Sequence, residues 1–464
     1  MLYVGIKFIT WEVHMPTNFT IKQGDESLTS HSGLALVGAL LAKTELRKRL
    51  NETILDKCAK PKISNADIIF AMTGLICLGK PDYDAIEPFR GNPFFSGSLG
   101  LDSCPSSSAI RQRIDIIGDS FDTIIKEESA DLIRRTAPAI TPLLTSCGDF
   151  VPLDGDVSPF NNEKTQKEGV SRTYKGEDGF APMFEYLGRE GYLVNLEFRE
   201  GKQHCQKNTP EFLNQSIQYA RRITDQPILV RLDSGNDARD NIDCCIKNGV
   251  EFIIKRNLRK TDPNDWLKFA KKNGKSIPCR DGKKQWRGMT TTDWDGTPLP
   301  CPICYEATER TIVKGQPVLF PDVAVDTYWV SLPMNADEVI DLYHDHGTSE
   351  QFHSELKTDM DMERLPSKYF KSNALVLLLG MLGYNLLRLC GQESLREDNG
   401  NINLMPSHRK KATRRRIRSV ILDLIYVAGR IIHSSRKWSI SLGKLNPCAS
   451  LFGSVYARFC TLKT

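Results

Sequence analysis

Three acidic residues far apart in the chain, Asp156, Asp233 and Glu350, each stand where a carboxylate would be aimed into a shared pocket. Asp233 closes the apolar run Pro227-Ile-Leu-Val-Arg-Leu-Asp233, and Ser-Gly follows at once, the pattern of a buried strand running into a turn. Asp156 ends the run Phe150-Val-Pro-Leu-Asp-Gly-Asp156; strand alternation puts Asp154 on the same side, so the first acid is open between Asp154 and Asp156. Glu350 falls in a segment expected to be helical from Ala336 to about Lys357, opened by the capping sequence Asn335-Ala-Asp-Glu338. Counted from Tyr343, residues His346, Glu350 and Lys357 are offset by 3, 7 and 14, so at about 100° per residue the four share one narrow stripe. Such a stripe is too polar for a core face and on an arbitrary helix would be a solvated one. Three converging carboxylates are the donor set that hard divalent cations take. A pair of such ions cleaves phosphodiesters by activating the attacking oxygen and stabilising the leaving one.

The elements that must position these residues follow from periodicity. Residues 30–148 read as helical. Gly33 to Leu50 carries apolar residues at helical spacing, Ser64-Asn-Ala-Asp67 resembles a capping box before an apolar helix, and Ser106 to Ile117 and Ser120 to Arg135 give two more. The stretch Pro105-Ser-Ser-Ser-Ala-Ile-Arg-Gln-Arg113 has the form of the opening of a recognition helix, or of a plain packing helix. From about Gly148 the pattern changes to strands: Phe150–Val157, then Tyr174–Leu187 and Gly191–Arg199 as a hairpin. A helix at Pro210–Arg222, a strand at Ile228–Asp233, a helix at Asp237–Asn248 and a strand at Glu251–Lys255 follow, which describes a mixed sheet with crossover helices. Residues 256–325 interrupt this rhythm with short strands expected at Lys284–Thr291 and Glu309–Leu319, and an apolar helix is expected from Ser372 to Leu389. The reading divides the chain at 1–148, 149–255, 256–325, 326–395 and 396–464.

At 464 residues the chain can hold two or three domains, and 40% hydrophobic with 26% charged residues is ordinary for a globular protein. No run of eighteen uninterrupted apolar residues occurs, so no membrane partner is expected. Thirteen scattered cysteines without framework spacing and the lack of a secretory signal point to the cytoplasm. Met1 and Met15 both stand as possible starts. Cys301-Pro-Ile-Cys304 falls short of the four ligands a structural zinc wants. The net charge of +5 hides an asymmetry: residues 401–464 hold thirteen Lys and Arg against Asp423 alone, while the first 400 hold 49 bases against 56 acids. Seven bases lie in the ten residues Arg409 to Arg418, among them Lys410, Lys411, Arg414, Arg415 and Arg416, and they suit the phosphates of DNA.

Tyr343-x-x-His346-x-x-x-Glu350-x-x-x-x-x-x-Lys357 matches the signature Y-(2)-R-(3)-E-(6)-K at three of its four positions. The chain therefore resembles the bacterial insertion-sequence DDE transposases of that signature clan. Gly347-Thr-Ser-Glu-Gln-Phe-His-Ser-Glu-Leu-Lys-Thr-Asp359, Gly383-Tyr-Asn-Leu-Leu-Arg388 and Arg231-Leu-Asp-Ser-Gly-Asn-Asp237 make it most similar to the insertion sequence 1380 family. The likeness spans roughly residues 150–395. One position departs from it: where the signature has arginine, able to clamp a phosphate through two parallel hydrogen bonds, this chain has His346.

The resemblance implies an α/β fold: an RNase H-like core interrupted by a β-rich insertion, with a helical N-terminal domain that binds DNA ends and a basic helical C-terminal segment. It implies Asp156, Asp233 and Glu350 as catalytic metal ligands for Mg²⁺ or Mn²⁺, and Asp156-Val-Ser158 fits the family's D-x-S better than Asp154 does. Tyr343, His346 and Lys357 would contact DNA. The activity implied is cut-and-paste transposition, in which a freed 3′-hydroxyl attacks target DNA. The partners implied are the element's terminal inverted repeats, target DNA and a second copy of the chain, and the location is the bacterial nucleoid. In relatives with an insertion a hairpin forms at the element end, and Trp266, Trp286 and Trp294 would offer rings for a displaced base. Two rival functions are an RNase H-like nuclease without strand transfer and an inactive, transposase-derived DNA-binding protein.

Overall fold

The computed structural model describes residues 19–55, 61–396, 413–435 and 437–463. Arg409, Lys410 and Lys411 lie outside them. The N-terminal part is helical, and its caps are the ones the sequence offers. Ser64 Oγ accepts the Asp67 N–H at 3.0 Å to open helix α1 (Asn65–Cys77). The helix expected over Gly33 to Leu50 is instead two, Leu34–Leu41 and Leu46–Glu52. Thr44 lies in the break, its hydroxyl donating to Leu41 O at 2.7 Å and accepting from Leu46 N–H at 3.4 Å, so the side chain takes over bonds a continuous helix would make. Helix α2 (Asp122–Thr136) closes this region. In the helix Ser107–Ile117, Ile110, Ile114 and Ile117 are buried and Arg111 lies 3.8 Å from Asp84, as in a packing helix.

The centre of the molecule is one large mixed sheet. Its strands in chain order are β1 (Gly148–Val157), β2 (Met183–Leu187), β3 (Tyr192–Glu197), β4 (Ile228–Leu232), β5 (Glu251–Arg256), β6 (Lys275–Ile277), β7 (Lys283–Thr292), β8 (Pro298–Val313) and β9 (Gln316–Val330). Their spatial order is β3-β2-β1-β4-β5-β9-β8-β7-β6, with Leu143–Thr145 pairing the start of β1. Strands β1, β4 and β5 run parallel, and the other pairings are antiparallel. Helices α3 (Thr209–Ile223) and α4 (Arg239–Asn248) make the crossovers into β4 and β5 that parallel neighbours require.

The block at 256–325 is continuous with this sheet. Strand β9 runs on to Val330 and its last residues pair with β5, Arg256 opposite Thr327 through Ile253 opposite Val330. The single strand expected at Glu309–Leu319 is where the chain reverses: Lys314 (φ 50°) and Gly315 (φ 80°) form a two-residue hairpin turn between β8 and β9. Trp266 is fully buried on the helix Pro263–Asn273, a structural tryptophan. Cys301 and Cys304 sit three apart on β8, so alternation sends them to opposite faces.

Past the sheet come helices α5 (Ala336–Asp345), α6 (Ser349–Ser354) and α7 (Phe370–Glu393). Although α7 is long and apolar enough to cross a membrane, the apolar window is 94% buried inside the protein. Asn385 fixes its register on the edge strand β3, accepting from Leu193 N–H at 3.0 Å and donating to Leu193 O at 2.7 Å. The expectation of a basic helical C-terminal segment holds only in part. Gly429–Ser434 and Lys437–Leu442 form a hairpin, joined by Leu28–Thr29, before the last helix Ala449–Thr461. Ile431, Ile432 and Ile440 lie in these strands, where their β-branched side chains are favoured.

Candidate active site

The parallel pairing of β1 and β4 builds the first half of the site. Gly155 lies opposite Leu232, so the next residues along each strand, Asp156 and Asp233, emerge side by side at the carboxyl ends of both strands. Asp156 is held on both oxygens: Oδ1 accepts its neighbour Val157 N–H at 2.7 Å, and Oδ2 lies 3.3 Å from His353 Nε2. Asp233 Oδ1 accepts from Asn236 Nδ2 at 2.7 Å, within the turn that Ser234-Gly235 makes. Burial, followed by the negative charge of Asp156, raises the Asp233 carboxyl above the ordinary aspartate range. Burial would also raise Asp156, but the His353 hydrogen bond, with help from His346 and Val157 N–H, carries it below that range. Two neighbouring carboxylates, one raised by burial and then by the charge of the other, gather negative charge at the strand ends.

Asp154, the alternative first acid, has a different environment. It is 2% exposed and receives two 2.7 Å hydrogen bonds from Arg231 Nε and Nη2. His346 Nδ1 lies 3.2 Å from Asp154 Oδ1, in ion-pair range but off the hydrogen-bond direction. Burial opposes its ionisation, yet the charges of Arg231 and His346 hold its carboxyl below the usual range. Arg231 Nη1 also donates to Leu342 O at 2.5 Å. Asp154 is thus an internal counterion that ties β1, β4 and α5 together.

The second half of the site is the segment carrying Glu350. Asn335 Oδ1 accepts Glu338 N–H at 3.0 Å and starts α5 as the capping sequence predicts. The single helix expected from Ala336 to about Lys357 is interrupted, however: α5 ends at Asp345, a 3₁₀ turn spans His346–Thr348 around Gly347, α6 runs Ser349–Ser354, and a π turn covers Glu355–Asp359. A 3₁₀ turn has three residues per turn and a π turn more than four, so the stripe of four does not stay on one face. Tyr343 packs on Tyr328 at 4.7 Å and on His346 at 5.6 Å, and His346 is buried, facing Asp154. Glu350 is exposed. Lys357 Nζ donates to Pro159 O at 2.5 Å, sits 3.5 Å from Glu363 and lies 5.3 Å over the Phe160 ring, so its ammonium braces the exit of β1.

Tyr174 lies within the electrostatic reach of all three acids. Its ring is largely exposed while its hydroxyl donates to Val157 O at 3.2 Å. Burial at that end, then the charges of Asp156 and Asp233, followed by Cys205 and Glu350, push it up to about 12. Among the described residues no three His, Cys, Asp or Glu side chains are gathered tightly enough to hold one metal ion. The arrangement is a tight pair, Asp156 and Asp233, with Glu350 contributing from farther off.

The basic run, where it is described, meets carboxylates of the protein itself. Arg414 pairs with Glu355 and donates to Gln351 at 2.7 Å, Arg415 pairs with Asp423, and Arg416 grips Asp359 through bonds of 2.8 and 2.9 Å. Each of these three guanidiniums has a carboxylate partner elsewhere in the fold, which sequence spacing could not reveal. Beside the turn after Asp233 lies a cavity of about 700 Å³ lined by Arg239, Arg256, Arg259, Lys260, Trp294 and Trp329. Sequence reasoning missed His353, although its place three residues after Glu350 on one helix was readable.

The family model for transposase DDE domains, group 1, matches residues 15–464. No curated protein matches the chain. A solved piggyBac transposase synaptic complex with hairpin DNA is similar at 10% identity and a TM-score of 0.36, over 85% of this chain and 78% of that one.

Proposed function

The chain belongs to the transposase DDE domain family, group 1, and on that premise we propose that it cuts DNA at the ends of a mobile element and joins the freed 3′-hydroxyls to a target. We take the element to be an insertion sequence of the 1380 type, with terminal inverted repeats bound by two copies of the chain. The observation that carries this reading is the β1–β4 register, which sets Asp156 beside Asp233 at the strand ends. The strand order β3-β2-β1-β4-β5, with β4 and β5 parallel to β1, supports an RNase H-like core.

The donor set fits a divalent cation: hard carboxylate oxygens, two of them adjacent and mutually repelling, with Glu350 exposed nearby. Asp156, Asp233 and Glu350 would hold Mg²⁺ or Mn²⁺, which when bound supply Lewis-acid activation of the attacking oxygen and relief of charge on the leaving one. The chain's own residues then do the positioning. Asp154 and Arg231 lock β1 against β4 so that the paired acids keep their spacing. Tyr343 lies near them, its phenol kept protonated by burial and by the charges of Asp233 and Asp156. Lys357 fixes the backbone just after Asp156. Contacts to DNA phosphates are assigned to the basic run from Arg409 to Arg416.

The test is a supercoiled plasmid carrying the element ends, incubated with the full chain and Mg²⁺. Cleavage with joining is expected. Cleavage without joining identifies a nuclease, and binding alone identifies an inactive descendant.

A further inference from the structure

His353 is 95% buried yet touches polar atoms at both ring nitrogens: Nε2 lies 3.3 Å from Asp156 Oδ2 and Nδ1 lies 3.2 Å from the Tyr186 hydroxyl. Its ring is caged by Phe184 at 5.2 Å and Tyr186 at 5.3 Å, both from β2. Tyr186 is fully buried, and burial keeps its phenol protonated. A carboxylate only accepts, so the contact with Asp156 holds if the proton sits on Nε2. The phenol then donates its own proton to Nδ1. The relay Tyr186 to His353 to Asp156 is directional, with each member satisfied by the next.

The position of His353 in the chain gives the relay a second consequence. It lies three residues after Glu350 on the same short helix α6, so one turn separates the exposed acid from the buried clamp. The helix carrying Glu350 is otherwise interrupted on both sides, by the 3₁₀ turn before it and the π turn after it. The hydrogen bond from His353 therefore does two things. It orients the Asp156 carboxylate, and it anchors the Glu350 helix to the sheet.

We infer that His353 is a positioning residue, held by Tyr186, that sets both the orientation of the Asp156 carboxylate and the distance between Asp156 and Glu350 for a divalent cation. This rests on the assignment of Asp156 to the cation site made above. Groups that orient metal ligands typically matter about 10–100-fold for metal affinity when removed.

The experiment titrates Mn²⁺ calorimetrically into the full chain and into the variants His353→Phe, His353→Gln and Asp156→Ala, with thermal melts as folding controls. The expected result is Mn²⁺ binding weakened by about tenfold in His353→Phe, in keeping with the loss of an orienting hydrogen bond. His353→Gln, whose amide N–H can still donate, should recover most of that loss, and Asp156→Ala should abolish the binding. Should His353→Phe fail to fold, the contrast between His353→Gln and His353→Ala carries the same test. Wild-type Mn²⁺ binding in the folded His353→Phe chain, together with loss in Asp156→Ala, overturns the positioning role and leaves the site intact. Undiminished binding in Asp156→Ala overturns the site assignment itself, and the positioning role with it.

Discussion

The strand half of the site and the helix half are held in place by different means. Asp156 and Asp233 leave adjacent parallel strands that are locked by backbone pairing, by the buried Asp154–Arg231 pair and by the Val157 N–H. Glu350 rides on a six-residue helix between a 3₁₀ turn and a π turn, linked to the sheet through His353 and, one turn further on, through Lys357. Backbone pairing resists small displacements, whereas a short interrupted helix depends on a few side-chain contacts. On the proposed assignment, the pair of acids is held by the sheet and the third depends on those side-chain contacts.

Asp233→Ala should break the comparison most severely. Strand cleavage is expected to fall by about 10²–10³-fold, the scale on which losing one electrostatic stabiliser acts, while DNA binding measured by gel shift without metal persists. Asp154→Ala should do the converse. It leaves the buried Arg231 only its longer 3.7 Å pair with Asp345 and the Leu342 carbonyl, so unfolding in urea should show a loss toward the low end of about 3–5 kcal/mol, and Asp154→Leu with Arg231→Met should restore most of it. If Asp154→Ala were fully stable but inactive, the roles of the two aspartates would be exchanged.

A third test concerns Glu185, at the far side of the strand half. It is fully buried, and neither carboxylate oxygen has a hydrogen-bond partner among the described residues. Gly155 is glycine because a Cβ there would lie 2.6 Å from Glu185 Oε2. Burial, then the charge of Asp154, raises its folded pKa well above the usual glutamate range. A raised folded pKa adds stability at pH below the unfolded value and loses it as pH climbs toward the folded one. Glu185→Gln should therefore become increasingly more stable than the wild type as pH rises through that window. A constant difference across pH would mean the carboxyl is ionised in the fold. The smallest effect is expected in the helix half. A Cβ at Gly347 meets nothing within 4 Å, so Gly347→Ala should add less than about 1 kcal/mol of stability while lowering cleavage through a stiffer connection to Glu350.

What was legible in the sequence follows the same division. The run ending at Asp233, the crossover helices and the Asn335 cap were readable because periodicity and capping are local. The break at Gly347 was not: one glycine in a helical pattern is usually tolerated, and the π turn at Glu355 arises where Arg388 and Arg414 grip that buried glutamate from distant parts of the chain. The choice between Asp154 and Asp156 was also beyond periodicity, since both occupy the same face. What sets the two apart in the fold is Arg231, whose side chain reaches Asp154 from the neighbouring strand. The basic run showed its charge in the sequence but not its partners, because Glu355, Asp359 and Asp423 meet it only in the fold.

The central claim, that the adjacent Asp156 and Asp233 hold the reactive metal, is tested most directly by replacing Asp156 with cysteine and assaying cleavage of element-end DNA in Mg²⁺ and in Mn²⁺. A thiolate is a poor ligand for Mg²⁺ and a better one for the softer ion. The account predicts a chain inactive in Mg²⁺ that regains cleavage in Mn²⁺, and full activity of Asp156→Cys in Mg²⁺ would contradict it.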